Sequence, residues 1–264
     1  MEISILGYGN LGSSIANGLK SFGSLTKLYV TKKDVKNLRH DIENKKCILS
    51  SDNLNAVSKS SIIFLTVQPK QFKGLAEEIK SHINSDQIII SPITGISIKD
   101  LEDEFGNDKK IIRCMTNTAV AVKQAVTCIC SNKTGKNSIE IVENIFKKLG
   151  HTMIIEEKNM QAATVISASG IAFWMRLIRA TAQGGVQLGF ESNQALELSL
   201  MTSLGAAKLL EENQSHPEDE IDKVTTPNGC TIEGLIEMEH QGLSSALIKG
   251  IEKSFNKINL MKKE

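Results

Sequence analysis

The strongest constraint on the fold of this chain lies at its N-terminus. A short apolar run, Ile3-Ser4-Ile5-Leu6, leads directly into Gly7-Tyr8-Gly9-Asn10-Leu11-Gly12. A helical pattern over 13–22 follows, with Ile15, Ala16 and Leu19 on one face. Strand, G-x-G-x-x-G and helix in that order form the first βα junction of a dinucleotide-binding sheet. Gly7 allows the tight turn, Gly9 lets a pyrophosphate approach the backbone, and Gly12 lets the helix lie close to the strand. The loop ends on a helix N-terminus, whose unpaired N–H groups and dipole favour an anion. Gly7, Gly9, Asn10, Leu11 and Gly12 are therefore candidate cofactor-binding residues. The competing readings are a ligand-free strand–helix turn and a site for another adenosine-containing ligand.

Further strands are expected at 27–30, 61–67, 87–90, 110–115 and 126–130, with helical patterns over 34–43, 72–83 and 138–149 between most of them. The run Ser61-Ile62-Ile63-Phe64-Leu65-Thr66-Val67 is almost wholly apolar, as a central parallel strand requires. Strand–helix alternation of this kind predicts an α/β fold with a doubly wound, Rossmann-like parallel sheet. The pattern changes near Glu156-Glu157-Lys158, and from Met160 onward the chain reads as helical. A domain boundary is expected near residue 155. It separates an NADP-binding domain, 1–155, from an all-helical substrate and dimerisation domain, 156–264. Helices such as 195–210 need apolar cover on several faces, and about a hundred residues make a small core alone.

Composition narrows the function. Among 264 residues the formal net charge is +1, 23% are charged, 41% hydrophobic and 4% aromatic. That balance gives no electrostatic case for a nucleic-acid or membrane partner and no base-stacking surface. The five cysteines, Cys47, Cys114, Cys128, Cys130 and Cys230, have no metal-ligand spacing and sit mostly in apolar runs. Most are expected to be reduced core residues, with no metal bound, as in the cytoplasm. Met1 leads straight into an expected strand, so no signal segment is expected, and no apolar run is expected to reach membrane-spanning length. The five histidines are expected to be surface or local structural residues.

Two further segments carry chemistry. An NAD-preferring site usually has Asp or Glu at the end of the second strand to bind the ribose hydroxyls. Here that place holds Thr31-Lys32-Lys33. A hydroxyl and two ammonium groups attract a 2′-phosphate, so NADPH is expected over NADH, with NADH a weaker possibility. Near the other end, Asp222-Lys223-Val224 closes a helical pattern, Pro227-Asn228-Gly229 makes a turn, and Thr231 opens a new apolar pattern. This is a second helix N-terminus behind a tight turn, hence a second anion cradle.

Together these segments resemble the pyrroline-5-carboxylate reductases. The resemblance is carried by GYGNLGSSIANGL at 7–19, TVQP at 66–69, SPITGISI at 91–98, RCMTNTAVAV at 113–122, SASGIAF at 167–173, LGAAKLL at 204–210 and HPEDEIDKVTTPNGCTIEGL at 216–235. It implies reduction of the cyclic imine of 1-pyrroline-5-carboxylate to L-proline by NAD(P)H. It implies that backbone N–H groups of Asn228, Gly229 and Cys230 hold the substrate carboxylate, and that Thr231, the catalytic residue, bonds the imine nitrogen. Without the resemblance Thr231 reads as a helix cap. It further implies that Asn53, Val67, Gln68, Pro69, Thr94, Gly95, Met115 and Asn117 contact the cofactor, that Ser169 faces the substrate, and that the helical domain makes a homodimer, with a ring of dimers as a further option. The chain departs from the family pattern at Gln68, Ala119, Gln161, Arg179, Gln183 and Asn228. Two alternatives accompany this reading: a related NADPH-dependent reductase of another cyclic imine or small carboxylate, and a non-catalytic NADPH-binding paralogue.

Overall fold

The structure is a computed structural model that describes residues 1–20, 22–34 and 46–261. The helix expected over 34–43 falls, apart from Asp34, outside the described residues. Among the described residues eight strands form one sheet: β1 Glu2–Leu6, β2 Lys27–Thr31, β3 Cys47–Ser50, β4 Ile62–Leu65, β5 Ile88–Ser91, β6 Lys110–Met115, β7 Ala125–Ser131 and β8 Gly150–Ile154. Their spatial order is β3-β2-β1-β4-β5-β6-β7-β8. The first six run parallel, β7 is antiparallel to β6, and β8 is parallel to β7.

The reversal at β7 has a local cause. Only a short 3₁₀ turn, Thr118–Val122, joins β6 to β7. A parallel return needs a crossover of a dozen residues or more, so a connection this short brings the next strand back antiparallel. Alternation of apolar residues did not reveal β3 or β8, which are short and lie at the two edges of the sheet.

Helices α1 Asn10–Leu19, α2 Asn53–Ser58, α3 Phe72–Ile79, α4 Ile98–Phe105 and α5 Ile139–Phe146 cover the sheet. Successive strand residues point to opposite faces. Ile3, Ile5, Val30 and Phe64 therefore join α1 and α5 in one core, with Ile15, Leu19, Val142 and Phe146. Leu6, Ile63, Leu65 and Ile89 join α2, α3 and α4 in the other, with Val57, Leu75, Ile79 and Leu101. This is the doubly wound α/β arrangement expected from the sequence. The buried Arg113 of β6, 1% exposed, donates from Nη1 to Glu157 Oε1 at 3.0 Å. The same oxygen accepts the Ile98 N–H at 2.7 Å, tying the start of α4 to the end of the sheet domain.

The remaining chain is helical: α6 Met160–Ala163, α7 Gly170–Gln187, α8 Ser192–Asn213, α9 Pro217–Val224, α10 Cys230–His240 and α11 Leu243–Met261. A π-helical turn, Thr164–Ser169, joins α6 to α7. Two compact units are present: Met1–Ser169 with Phe255–Glu264, and Gly170–Ser254. In the second unit large apolar side chains stand exposed, among them Trp174, Leu188, Leu200, Met201 and Leu204.

One expectation needs correction. The continuous helical run Glu157–Gln187 is long and apolar enough, by length and composition, to cross a membrane. Its apolar residues are interspersed with small and polar ones, so no uninterrupted apolar stretch announces it. Of its 18-residue window only 17% is buried within the chain.

Candidate active site

The chain builds β1, β2 and β3 outward to one side, then returns to place β4 against the other side of β1. A sheet that reverses its winding leaves a crevice at the carboxyl ends of the strands flanking the reversal. Here that crevice is a cleft of about 730 Å³. The loops after β1 and β4 line it with Gly7, Gly9, Val67 and Gln68, and the end of β2 adds Thr31, Lys32 and Lys33.

The three glycines differ in the space around them. Gly7 has φ +106°, and a Cβ there would lie 2.9 Å from the Thr66 carbonyl oxygen. A Cβ on Gly12 would lie 2.1 Å from the Gly7 oxygen, so only glycine lets α1 approach the strand. A Cβ on Gly9 would meet nothing within 4 Å, which leaves open space above the α1 N-terminus. Asn10 and Leu11 supply main-chain N–H groups of that first turn, where donors have no intrahelical partner. These features fit a dinucleotide pyrophosphate. Thr66, a residue not singled out from the sequence, fixes the loop: its hydroxyl donates to Gly7 O at 2.7 Å, and its N–H donates to Leu6 O at 2.9 Å.

At the other end of the cleft Thr31 has two roles. Its carbonyl accepts the Gly7 N–H at 3.1 Å, and its hydroxyl donates to Asn53 Oδ1 at 2.6 Å. Asn53 in turn donates from Nδ2 to both oxygens of Glu78, at 3.1 and 3.0 Å. Asn53, Glu78 and Asp34 all line the cleft. Glu78 sits on α3, and sequence reasoning missed it because nothing local to the second strand announces it.

The other expected cofactor residues lie outside the lining of this cleft, at the carboxyl ends of neighbouring strands. Pro69 begins the 3₁₀ turn after Gln68, whose N–H donates to Gln71 Oε1 at 3.1 Å. Thr94 and Gly95 follow β5, with Gly95 at φ +83° and open space around it. Met115 ends β6, and its side chain is buried with Cys128, Cys130 and Met160. Asn117 is engaged at both ends: Oδ1 accepts the Ala119 N–H and Nδ2 donates to Ser167 O, both at 2.9 Å. Ser169 closes the π-helical turn, a feature rare in helices and frequent at functional sites. Burial pushes the Cys114 and Cys130 thiols up, the latter to about 12, with nearby Glu157 adding to the effect on Cys130. Both are neutral thiols at physiological pH, as expected of reduced core cysteines.

The second unit holds the turn expected to form the other anion cradle. The Gly229 N–H donates to Thr226 O at 2.9 Å, closing the turn Thr226-Pro227-Asn228-Gly229. Asn228 has φ +58°, the left-handed conformation that the third residue of a type II turn requires and that Asn tolerates. A Cβ on Gly229 would lie 2.5 Å from Thr226 Oγ1. Gly229 is the N-cap of α10, so the N–H groups of Cys230, Thr231 and Ile232 open its first turn. Cys230 and Thr231 are exposed. The Gly229 N–H is thus spent within the turn, and the glycine contributes shape there.

Two family models match the chain: "NADP oxidoreductase coenzyme F420-dependent" over residues 2–95 and "Pyrroline-5-carboxylate reductase dimerisation" over 157–261. Pyrroline-5-carboxylate reductase 2 of Dictyostelium discoideum is 39% identical over 273 residues, which cover 97% of this chain and 91% of that protein. The chain belongs to the pyrroline-5-carboxylate reductase family. Pyrroline-5-carboxylate reductase 1 of the same organism is 40% identical over 270 residues, 97% of this chain, although the chain spans about half of its length, 49%. Among solved structures, a Plasmodium falciparum pyrroline carboxylate reductase with NADP bound superposes with a TM-score of 0.91 at 25% identity, covering 99% of this chain and 98% of that one. The reductase family frame fits both the nucleotide cleft and the helical C-terminal part. The apolar helix Glu157–Gln187 opens the part that the dimerisation model matches.

Proposed function

We propose that this chain is an NAD(P)H-dependent oxidoreductase that reduces 1-pyrroline-5-carboxylate to L-proline, with NADPH as the preferred donor. The turn Thr226–Gly229 in front of α10 carries the reading. It is the most family-specific segment of the sequence, and Asn228 adopts the left-handed geometry that keeps the turn in shape. The main-chain N–H groups of Asn228, Cys230 and Thr231 would hold the substrate carboxylate, with Gly229 setting their spacing. Charge-assisted hydrogen bonds of this kind contribute about 1.5–3 kcal/mol each. The Thr231 hydroxyl would bond the ring nitrogen and orient the C=N bond. When bound, NADPH would supply the hydride that the imine carbon takes up, and the ring nitrogen would take its proton from water. Little else is asked of side chains, because the rate gain is mainly proximity and orientation.

Gly7, Gly9 and the α1 N-terminus would hold the pyrophosphate, and Lys32 and Lys33 the 2′-phosphate. The exposed apolar residues of the second unit support a homodimer, with a ring of dimers as the larger assembly. The five cysteines, all free thiols, favour a reducing compartment, the cytoplasm. A steady-state assay with 1-pyrroline-5-carboxylate and either NADPH or NADH tests the reading, and proline formation with a higher kcat/KM for NADPH is expected. Turnover of a larger cyclic imine acid alone, or saturable NADPH binding with no turnover, would replace it with one of the two alternatives.

A further inference from the structure

We propose that Glu78 is a specificity-determining residue that sets the balance between NADPH and NADH. The inference deepens the NADPH reading above and rests on it. The end of β2 carries no acid, but α3 brings Glu78 to the same cleft as Thr31, Lys32, Lys33 and Asn53. The chemistry of the chain Thr31–Asn53–Glu78 has one direction. An ionised carboxylate can only accept, so the Asn53 amide must turn its NH₂ toward Glu78. Asn53 Oδ1 then faces Thr31 and takes the proton of its hydroxyl at 2.6 Å.

With that proton committed, Thr31 and Glu78 offer the cleft acceptor lone pairs. Acceptors suit a ribose 2′-hydroxyl, which can donate. They oppose a 2′-phosphate, which is anionic and accepts only. Lys32 and Lys33 work the other way, being exposed and without an ion-pair partner among the described residues. The cleft therefore combines cations for a phosphate with an acceptor chain for a hydroxyl, and Glu78 supplies the charge of that chain. Asp34 is a second carboxylate lining the cleft.

The test is a titration of the whole protein with NADPH and with NADH, followed by nicotinamide fluorescence at low and physiological salt. Glu78→Gln keeps the side-chain length and an acceptor for Asn53 while removing the charge. The ratio of the two Kd values should move toward NADPH by roughly fivefold to tenfold, and the shift should shrink as salt rises. Thr31→Val, which removes the hydroxyl at nearly constant volume, should weaken NADH more than NADPH. An unchanged ratio in Glu78→Gln, an equal loss for both cofactors, or a shift toward NADH would overturn the proposal. The underlying reading fails separately, when Lys32→Ala with Lys33→Ala leaves the wild-type ratio unchanged. Wild-type protein that binds neither dinucleotide would overturn both.

Discussion

At the scale of single residues, Gly9 and Gly12 share a motif but do different things. Gly12→Ala would drive a Cβ to within 2.1 Å of the Gly7 oxygen, in the middle of the α1–β1 contact. Overpacking of this severity should destabilise the fold by about 3 kcal/mol or more, seen as a lower Tm. Gly9→Ala meets open space, so Tm should hold while the Kd for NADPH rises. Equal Tm losses in the two variants would contradict this division of roles. For Thr231, replacement by Ala should lower kcat/KM at least about tenfold, a loss of about 1.4 kcal/mol of transition-state stabilisation. Wild-type kinetics in Thr231→Ala would remove the hydroxyl from the mechanism. The glycines were legible in the sequence because their spacing between a strand and a helix marks the turn, even though Gly7 and Gly12 both abut Thr66, remote in the chain. Glu78 and Thr66 were not, because their partners Asn53 and Gly7 are remote in the chain and meet them only once the sheet has formed.

At the scale of elements, the C-terminal turn and helix starts were readable because Pro, Asn, Gly and Thr punctuate them. The π-helical turn Thr164–Ser169 was not, since its residues fit an ordinary α-helix equally well. The start of α9 shows how an element is anchored. The Glu220 carboxylate accepts from Lys223 Nζ at 2.7 Å, Ser215 Oγ at 2.7 Å and Asn213 Nδ2 at 3.2 Å. These bonds, led by Lys223, pull its pKa down from 4.5 to about 2. A carboxyl that is more acidic in the folded chain stabilises the fold once pH exceeds its unfolded value, and the contribution fades as pH falls through the folded one. The link between α8 and α9 should therefore hold at pH 6 and weaken between about 4.5 and about 2. Hydrogen exchange across 213–224 should show protection lost in that window for the wild type. Glu220→Gln should show a flat profile there, and a wild-type profile in that variant would assign the loss to other groups.

At the scale of the whole molecule, the α/β sheet followed by helices was legible from periodicity alone, whereas the strand reversal at β7 was set by the length of one connection. The second unit leaves Leu200, Met201 and Leu204 of α8 exposed, a row that a second copy would cover. Met201→Arg with Leu204→Arg should shift the protein from dimer to monomer in sedimentation velocity, with a lower Tm. A dimer of unchanged mass would place the contact elsewhere. The reversal at β7 also bears on the order in which the sheet assembles. Met115 pairs with Cys128 across a short turn, but Ile3 must find Ile62 across two intervening strands. Closing a short loop costs less entropy than closing a long one, and local pairings form faster. The β6–β7 pair should thus be native-like in the folding transition state while β1–β4 is still open. Conservative truncations such as Ile112→Val should give higher φ-values than Ile3→Val, which would make the least Rossmann-like corner of the sheet its kinetic starting point.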